Sequence, residues 1–172
     1  MVTIGKLDNT LVGTIWVGAT EDGLAATSLW GDERRFLAEV ARLTGEAPEP
    51  TAAPGPIVTA ALAQLDAYFR GELREFTVPI DWSVMKPFQQ GALRLVCAVP
   101  YGRTTSYGAI AEQLGEPGAA RAVGRANATN PLPIIIPCHR ILGADGKLHG
   151  YGARGGVETK AQLLRLEGSW LL

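Results

Sequence analysis

The sequence divides near residues 84–86 into two halves with different patterns. The first half carries short apolar segments bounded by turn signals, followed by two stretches with helical periodicity. In the second half, short helical segments are separated by Gly and Pro, and a run of three isoleucines leads into Pro-Cys-His-Arg. A chain of 172 residues suits one domain or two small units, and this division predicts two units, 1–85 and 86–172.

Composition excludes several classes of protein. Hydrophobic residues make up 47% and charged residues 19%, values typical of a chain that folds in water. No apolar run approaches the ~20 residues of a membrane helix, and residues 1–12 lack the layout of a secretory signal. With 2 cysteines and 2 histidines, neither a disulfide framework nor structural zinc is expected. We therefore expect a cytoplasmic protein without a membrane partner.

The charges are distributed unevenly between the halves. Residues 1–85 hold 6 Lys and Arg against 12 Asp and Glu, whereas residues 86–172 hold 10 against 5. The halves therefore differ in sign, although the net charge of the whole chain is −1. A basic half indicates contact with a polyanion, but compositional drift explains the charge pattern equally well.

The first half predicts a small sheet and two helices. Alternating apolar residues predict strands, each preceded by a turn signal: Asp8-Asn9, then Leu11–Val17; Asp22-Gly23, then Leu24–Trp30. Helical spacing predicts a helix over Asp32–Leu43, capped by Asp32, and a second over Ile57–Phe69. An edge strand is predicted over Phe76–Trp82, because Pro79 excludes a central position.

The second half predicts a helix-turn-helix. A first helix runs from Pro87 to Ala98, with Phe88 and Cys97 expected in the core. Ser106 caps a short helix over Tyr107–Leu114, and a Gly- and Pro-containing turn leads to a second short helix over Gly118–Ala128. The last helix is built of small residues with two long basic side chains, Arg121 and Arg125. Two short Ala-rich helices are more often packing elements, so this pattern alone does not identify DNA binding.

The candidate nucleophile follows the isoleucine run. Ile134–Ile136 predicts a buried extended segment that leads into Pro137, Cys138, His139 and Arg140. A thiol with a pKa of ~8.5 needs a base or a positive field to react, and the two residues after Cys138 supply candidates for both. Neighbouring residues of an extended chain point to opposite sides, so His139 would need a water bridge or a backbone turn. An inert buried cysteine is the alternative.

Several short motifs stand in order along the second half: Pro87-Phe88-Gln89-Gln90, Val99-Pro100-Tyr101-Gly102, Thr105-Ser106-Tyr107, Ala119-Ala120-Arg121-Ala122-Val123-Gly124, Asn130-Pro131-Leu132-Pro133, Gly150-Tyr151 and Leu163-Leu164-Arg165-Leu166-Glu167-Gly168. The Ile-Pro-Cys-His-Arg run is the most specific of the motifs. Through them, the stretch from Pro87 to Gly168 resembles the O6-alkylguanine-DNA alkyltransferases, which repair alkylated guanine. With the element pattern, the resemblance predicts an α+β fold: an N-terminal sheet with helices, then a mostly helical unit holding the helix-turn-helix and the active-site segment.

The resemblance implies a chemical role for five residues. Cys138 takes the alkyl group from O6-alkylguanine, and from O4-alkylthymine, in an irreversible transfer that consumes the protein. His139 takes the thiol proton through a water molecule, and Glu167 orients the imidazole. Tyr107 contacts the base, and Asn130 braces the turn between the recognition helix and the active-site segment. No metal or cofactor is implied.

The implied partner is double-stranded DNA, bound through its minor groove with the damaged base flipped out. Arg121 would occupy the gap that the base leaves in the stack. Two sets of residues are assigned: Arg121, Arg125, Tyr107, Ala120 and Ser106 to DNA, and Ile141, Tyr151 and Arg140 to the pocket of the flipped base. A monomer is expected, acting singly or cooperatively on DNA.

Two features depart from the family pattern. The segment Gly152–Gly156 is longer than is usual in the family, which predicts a wider pocket that admits bulkier O6-adducts. Some relatives bind zinc in the N-terminal half, but this chain has no Cys or His before Cys97, so no such site is expected.

Three other functions fit part of the pattern. A non-catalytic lesion reader related to the alkyltransferases would lack the cysteine that this chain has. A cysteine hydrolase would need an oxyanion hole and repeated turnover, and no glycine-rich nucleophile elbow is present. A helix-turn-helix regulator would leave the Pro-Cys-His-Arg segment unexplained and would need a dimerisation element.

Overall fold

The computed structural model describes residues 1–49, 53–148, 150–151 and 153–169. They form two units, Met1–Met85 and Lys86–Leu172. The first unit holds a three-stranded sheet and two helices, and the second holds four helices and a two-stranded pairing. This arrangement confirms the predicted α+β class. Over the ranges just given, no helix has the length and apolar character needed to cross a membrane.

The sheet of the first unit is antiparallel, with the order β1 (Thr3–Thr10), β2 (Gly13–Ala19) and β3 (Leu24–Ser28). The turn expected at Asp8-Asn9 is wrong, because both residues lie inside β1. A register shift falls between Leu7 and Thr10, where Asn9 has a φ of 59°. The chain instead reverses after Thr10, where the threonine hydroxyl donates to the Gly13 carbonyl at 2.6 Å.

Two helices follow the sheet. Helix α1 spans Glu33–Thr44, and the Asp32 carboxylate caps it by accepting from the Arg35 amide at 2.8 Å. Its buried residues, Phe36 and Val40, pack against Trp16 and the other apolar side chains of the sheet. Helix α2 spans Pro56–Phe69. The predicted helices are thus present, with boundaries shifted by a residue.

The edge strand expected over Phe76–Trp82 does not form. One isolated bridge joins Ile80 to Leu24, flanked by backbone hydrogen bonds from Leu24 to Pro79 and from Asp81 to Leu24, both 2.9 Å. Proline has no N–H to extend the ladder, so pairing stops at this point. Asp81 then caps a short 3₁₀ turn over Trp82–Val84.

The second unit begins with helix α3, Pro87–Cys97. Its buried residues are Ala92, Leu93 and Val96. The expectation that Phe88 and Cys97 lie in the core is wrong, because both are exposed. They lie at the margins of the buried face, since Phe88 stands one turn before Ala92 and Cys97 one turn after Leu93.

The remaining elements surround the candidate nucleophile. They are β4 (Thr105–Ser106), α4 (Tyr107–Gln113), α5 (Ala120–Ala128), β5 (Ile141–Leu142) and α6 (Gly156–Leu166). Strands β4 and β5 pair in parallel, with Thr105 opposite Ile141 and Ser106 opposite Leu142. Because β4 leads directly into α4 and β5 follows the Cys-His-Arg segment, this short pairing brings Tyr107 beside the nucleophile.

Candidate active site

The segment that carries the nucleophile is a series of tight turns. Ile134 has a φ of 73°, a left-handed conformation that β-branched residues rarely adopt, and the Ile136 amide donates to the Leu132 carbonyl at 2.8 Å. Cys138–Arg140 forms a single 3₁₀ turn. The extended segment expected over Ile134–Ile136 is therefore wrong. The backbone turns at Cys138, which removes the geometric objection to His139 acting near the thiol.

Asn130 braces these turns. Its side-chain amide donates to the Ile136 carbonyl at 3.0 Å, and its side-chain oxygen accepts from the Leu132 amide at 2.9 Å. One side chain therefore links the end of helix α5 to the approach to Cys138. The strained Ile134 backbone lies inside the loop that these two hydrogen bonds close.

The Cys138 thiol is almost fully enclosed, with 2% of the residue exposed. Burial raises the pKa of the Cys138 thiol above its ordinary value. Hydrogen bonds with Asn130 and Tyr151 and the positive charge of Lys160 act in the opposite direction. The sulfur is thus held protonated until a base takes the proton, and three groups stand ready to stabilise the thiolate.

His139 and Glu167 form a buried pair. The imidazole Nε2 lies 2.7 Å from a Glu167 carboxylate oxygen. Burial lowers the pKa of His139 despite the nearby carboxylate, so the imidazole is neutral at neutral pH. The pKa of Glu167 is about 2, because hydrogen bonds from His139 and Arg140 outweigh the effect of burial. An ionised carboxylate only accepts, so Nε2 carries the imidazole proton and Nδ1 is left as the acceptor.

The Nδ1 atom of His139 is buried and has no hydrogen-bond partner within the described ranges. A neutral imidazole with a free ring nitrogen is the group that a general base requires. Because His139 follows Cys138 directly in one 3₁₀ turn, this acceptor belongs to the same site as the thiol.

Arg140 supports Glu167. Its Nε and one terminal nitrogen each donate to a different Glu167 oxygen at 2.9 Å, and the other terminal nitrogen donates to the Val99 carbonyl at 2.7 Å. The ring of Tyr101 lies beside the guanidinium, with its centroid 5.7 Å away. The guanidinium thus holds the Glu167 carboxylate in place, and the assignment of Arg140 to the pocket of the flipped base stays a prediction.

Tyr107 is half-buried at the first position of helix α4. Burial raises the pKa of its hydroxyl, a hydrogen bond with Asn127 lowers it, and the charge of Cys138 raises it. The net pKa lies above the ordinary tyrosine value, so the hydroxyl is protonated and can donate at neutral pH. The other side chains assigned to the pocket include Ile141, which is buried in β5, and Tyr151, whose hydroxyl acts to lower the pKa of Cys138.

Lys160 is a residue that the sequence reasoning missed. Its side chain on helix α6 is fully buried, and burial lowers the pKa of its ammonium to about 8. The Nζ atom lies 5.9 Å from the centre of the Tyr107 ring. The sequence did hold a signal: Lys160 stands three and four residues before Leu163 and Leu164, on the apolar face of its helix.

The helix-turn-helix presents its basic residues to solvent. Ser106 caps helix α4 by accepting from the Ala109 amide at 3.1 Å, and Gly115 supplies a φ of 76° for the turn. On helix α5, Val123 and Asn127 are buried, while Arg121 and Arg125 are exposed one turn apart. Ala120 starts this helix and is partly exposed. A groove that met this face would therefore meet two arginines and short side chains.

The wider pocket was predicted from the longer segment 152–156, and Gly152 of this segment lies outside the described residues. Gly155 and Gly156 have φ values of 88° and 56° and begin helix α6. The wider pocket for bulkier adducts stays a prediction.

Comparison with known proteins places this fold and site in a family. The model described as "6-O-methylguanine DNA methyltransferase, DNA binding domain" matches residues 87–169, and that described as "6-O-methylguanine DNA methyltransferase, ribonuclease-like domain" matches residues 5–82. The crystal structure of Mycobacterium tuberculosis O6-methylguanine methyltransferase is 40% identical, with a TM-score of 0.77, over 100% of this chain and 96% of that one. The chain belongs to the 6-O-methylguanine DNA methyltransferase family.

One other relative and a second structure of the M. tuberculosis protein extend the likeness within the 6-O-methylguanine DNA methyltransferase family. The methylated-DNA–protein-cysteine methyltransferase of Mycobacterium leprae is 56% identical over 107 residues, which are 62% of this chain and 63% of that protein. This match thus spans less than two thirds of the relative's length. The crystal structure of the M. tuberculosis protein in complex with DNA is 38% identical with a TM-score of 0.76, over 98% of this chain and 94% of that one. Membership confirms the predicted family.

Proposed function

We propose that the chain binds double-stranded DNA through the minor groove and transfers the alkyl group of O6-alkylguanine, and of O4-alkylthymine, to Cys138. The observation that carries the proposal is a buried thiol followed directly by a neutral histidine whose Nδ1 is an open acceptor. The relatives named above, which include methyltransferases acting on methylated DNA and a structure with DNA, support it.

The proposed reaction balances without a cofactor. The Cys138 sulfur attacks the alkyl carbon, the carbon–O6 bond breaks, and its electron pair leaves with the guanine oxygen. The thiol proton passes through a water molecule to Nδ1 of His139, and Glu167 balances the imidazolium charge. The Tyr107 hydroxyl hydrogen-bonds to the base and offsets the charge that develops on it. The guanine anion then takes up a proton from water, and the imidazolium of His139 releases one to water. The products are unmodified guanine and a thioether, which no group of the site can cleave, so each protein repairs one lesion.

Base flipping is part of the proposal because the thiol is enclosed. A sulfur in a residue that is 2% exposed cannot reach an alkyl group inside a stacked duplex. Extruding the base costs a few kcal/mol, and least for a lesion that pairs badly. Arg121 is exposed on helix α5 and is long enough to fill the resulting gap.

The proposal includes a monomer in a reducing cytoplasm. One chain supplies every group named in the reaction. A thioether forms only from a reduced thiol, and Cys97 and Cys138 are both free.

The experiment that tests the function is intact-protein mass spectrometry with peptide mapping. The protein is mixed with excess duplex DNA that contains one O6-methylguanine. We expect one methyl group on the peptide that holds Cys138, and no further gain, because the thioether is stable. A protein without added mass that still binds the duplex would contradict alkyl transfer, and repeated turnover would indicate a hydrolase.

Arg121→Ala is expected to slow repair of duplex DNA by about tenfold or more, because the flipped base would no longer be replaced in the stack. Transfer from free O6-methylguanine base needs no flipping and should change by less than about twofold. Rates are measured under single-turnover conditions with both substrates. Arg34→Ala, an exposed arginine on helix α1, serves as the matched control and should leave both rates unchanged. Equal slowing with duplex and free base would show that Arg121 does not replace the flipped base.

A further inference from the structure

Gln89, on helix α3, is a polar side chain that the proposed reaction does not use. Its side-chain amide crosses to the C-terminal end of helix α5, the helix that carries Arg121. The amide nitrogen lies 3.0 Å from the Thr129 hydroxyl oxygen, 3.1 Å from the Thr129 carbonyl and 3.3 Å from the Ala126 carbonyl. An amide nitrogen has two hydrogens, so the two shorter contacts, both with Thr129, are the principal hydrogen bonds.

The acceptors fix the direction of these hydrogen bonds. The Thr129 hydroxyl donates its own proton to the Arg125 carbonyl at 2.9 Å, so its oxygen accepts from Gln89. The carbonyl oxygens only accept, which identifies the end of the Gln89 amide that faces helix α5 as the nitrogen. The last carbonyls of a helix have no partner within it and lie at the negative end of its dipole, so a donor placed here stabilises the helix end.

Helix α5 is a weak helix by composition. It is nine residues long, shorter than the ~12–15 residues at which an isolated helix becomes stable, and Gly124 lies in its middle. Ala119, which precedes it, has no side chain that could cap its first turn. The buried residues are Val123, Ala126 and Asn127, so its inward face is small and partly polar. Contacts with other elements, including those at its C-terminal end, therefore determine how this helix lies.

Helix α3 supports both parts of the reaction. It packs against helix α5 and against the Cys138–Arg140 turn. Gln89 thus ties the helix that carries Arg121 to the element that also supports the nucleophile. Extruding a base costs free energy, which an arginine in the stack offsets only while its helix keeps its place. Each hydrogen bond that anchors helix α5 therefore contributes to the stability of the flipped state.

We infer that Gln89 is a positioning residue, which fixes helix α5 on helix α3 so that Arg121 stays in the stack while the flipped base lies at Cys138. This inference rests on the proposed function. The role of Gln89 is indirect, because its amide holds the backbone end of the helix and acts through Arg121. Loss of this amide should slow the reaction with duplex DNA alone, since a free base leaves no gap in a stack.

The test measures single-turnover rates of methyl transfer by Gln89→Met, with DNA at saturation. Methionine keeps the length of the side chain and removes the donor. Duplex O6-methylguanine should react about threefold to tenfold more slowly, the effect of one lost hydrogen bond, and free O6-methylguanine base should change by less than about twofold. Gln89→Lys, whose ammonium can donate to the same oxygens, should restore the duplex rate to within about twofold of the wild type. Equal slowing of both substrates by Gln89→Met, or an unchanged duplex rate, would overturn the inference.

A double-mutant cycle separates positioning from a general loss of stability. If Gln89 acts through Arg121, then Gln89→Met should slow duplex repair by less than about twofold when Arg121→Ala is already present. A structural defect unrelated to Arg121 would slow the two backgrounds equally, and that result would overturn the inference.

The matched control is Gln64→Met in the first unit. Gln64 also bridges two segments, because its amide nitrogen donates to the Thr77 hydroxyl at 2.8 Å and its oxygen accepts from the Thr77 amide at 2.9 Å. The same atomic change should leave the duplex and free-base rates within about twofold of the wild type. Slowing of duplex repair by Gln64→Met as large as that by Gln89→Met would overturn the inference.

Thr129→Val keeps the inference falsifiable if Gln89→Met does not fold. Valine keeps the volume of threonine and removes the hydroxyl that accepts from Gln89, so the same slowing of duplex repair alone is expected. Wild-type rates on both substrates would overturn the inference. Absence of methyl transfer by the wild-type protein, or an Arg121→Ala protein as fast as the wild type on duplex DNA, would contradict the proposed function instead, so the two failures are distinguishable.

Discussion

Cys138→Ser is expected to abolish methyl transfer to the protein and to leave its affinity for DNA within about twofold of the wild type. A serine hydroxyl is a far weaker nucleophile than a thiol, and the alkyl carbon must be attacked directly. Affinity should persist because the exposed arginines of helix α5 and the helix-turn-helix that carries them are untouched. Intact mass and a binding titration with a duplex containing O6-methylguanine measure the two quantities.

The second cysteine of the chain provides the matched control for this experiment. Cys97 is free and exposed at the last position of helix α3, so Cys97→Ser makes the same atomic change outside the site. It should transfer one methyl group like the wild type. Methyl gain by Cys138→Ser would show that another residue is the acceptor. Loss of DNA binding by Cys138→Ser would mean that the candidate site is also part of the folding core on which binding depends.

Arg140→Met is expected to destabilise the protein by about 3–5 kcal/mol, because it leaves the buried Glu167 carboxylate without its bidentate partner. The Arg140 side chain is 7% exposed and that of Glu167 is 0% exposed, so water cannot replace the lost hydrogen bonds. Urea unfolding measures the change. Arg42→Met is the matched control: Arg42 and Glu39 form a contact of 2.6 Å, but both side chains are exposed, and such pairs contribute about 1 kcal/mol or less.

The same substitution is expected to move the acid limb of the rate–pH profile to higher pH. The positive charge of Arg140 helps to lower the pKa of His139, so its removal raises that pKa. His139 is then protonated, and unable to accept the thiol proton, at a pH where the wild type is active. An unchanged acid limb in a folded Arg140→Met protein would show that His139 is not the base.

The pH at which acid destabilises the protein should also be higher for Arg140→Met than for the wild type. Glu167 stabilises the wild type above the ordinary carboxyl pKa, and this contribution is lost as pH falls toward about 2.

The correct predictions of helices and their caps rest on local sequence patterns. Asp32 and Ser106 are side chains that satisfy the first amides of a helix, a property that depends on neighbouring residues alone, and both cap the helices expected of them. Helical spacing of apolar residues likewise located the helices of both halves. The Pro-Cys-His-Arg segment drew attention to the nucleophile because it places three reactive side-chain types together.

The failures share a different cause. Pro79 allowed one bridge where a strand was expected, and the isoleucine run turned instead of extending, because its backbone hydrogen bonds go to Leu132 and to the Asn130 side chain. The spacing of apolar residues along the sequence does not show which groups will accept or donate these backbone hydrogen bonds. Helical spacing placed Phe88 in the core and residue type placed Cys97 there, whereas both are exposed at the margins of the face that helix α3 buries.

The sequence by itself determined the class of fold, the caps of the helices, the candidate nucleophile and the family resemblance, since these depend on short segments and their order. Only the tertiary structure decided how those segments become a site. Arg140 reaches Glu167, 27 residues away, and the Val99 carbonyl, 41 residues away, while Asn127 reaches the carbonyl of Cys138. Such contacts depend on how elements pack against one another, because a buried charge or amide takes its partner from whatever the fold brings within about 3 Å of it.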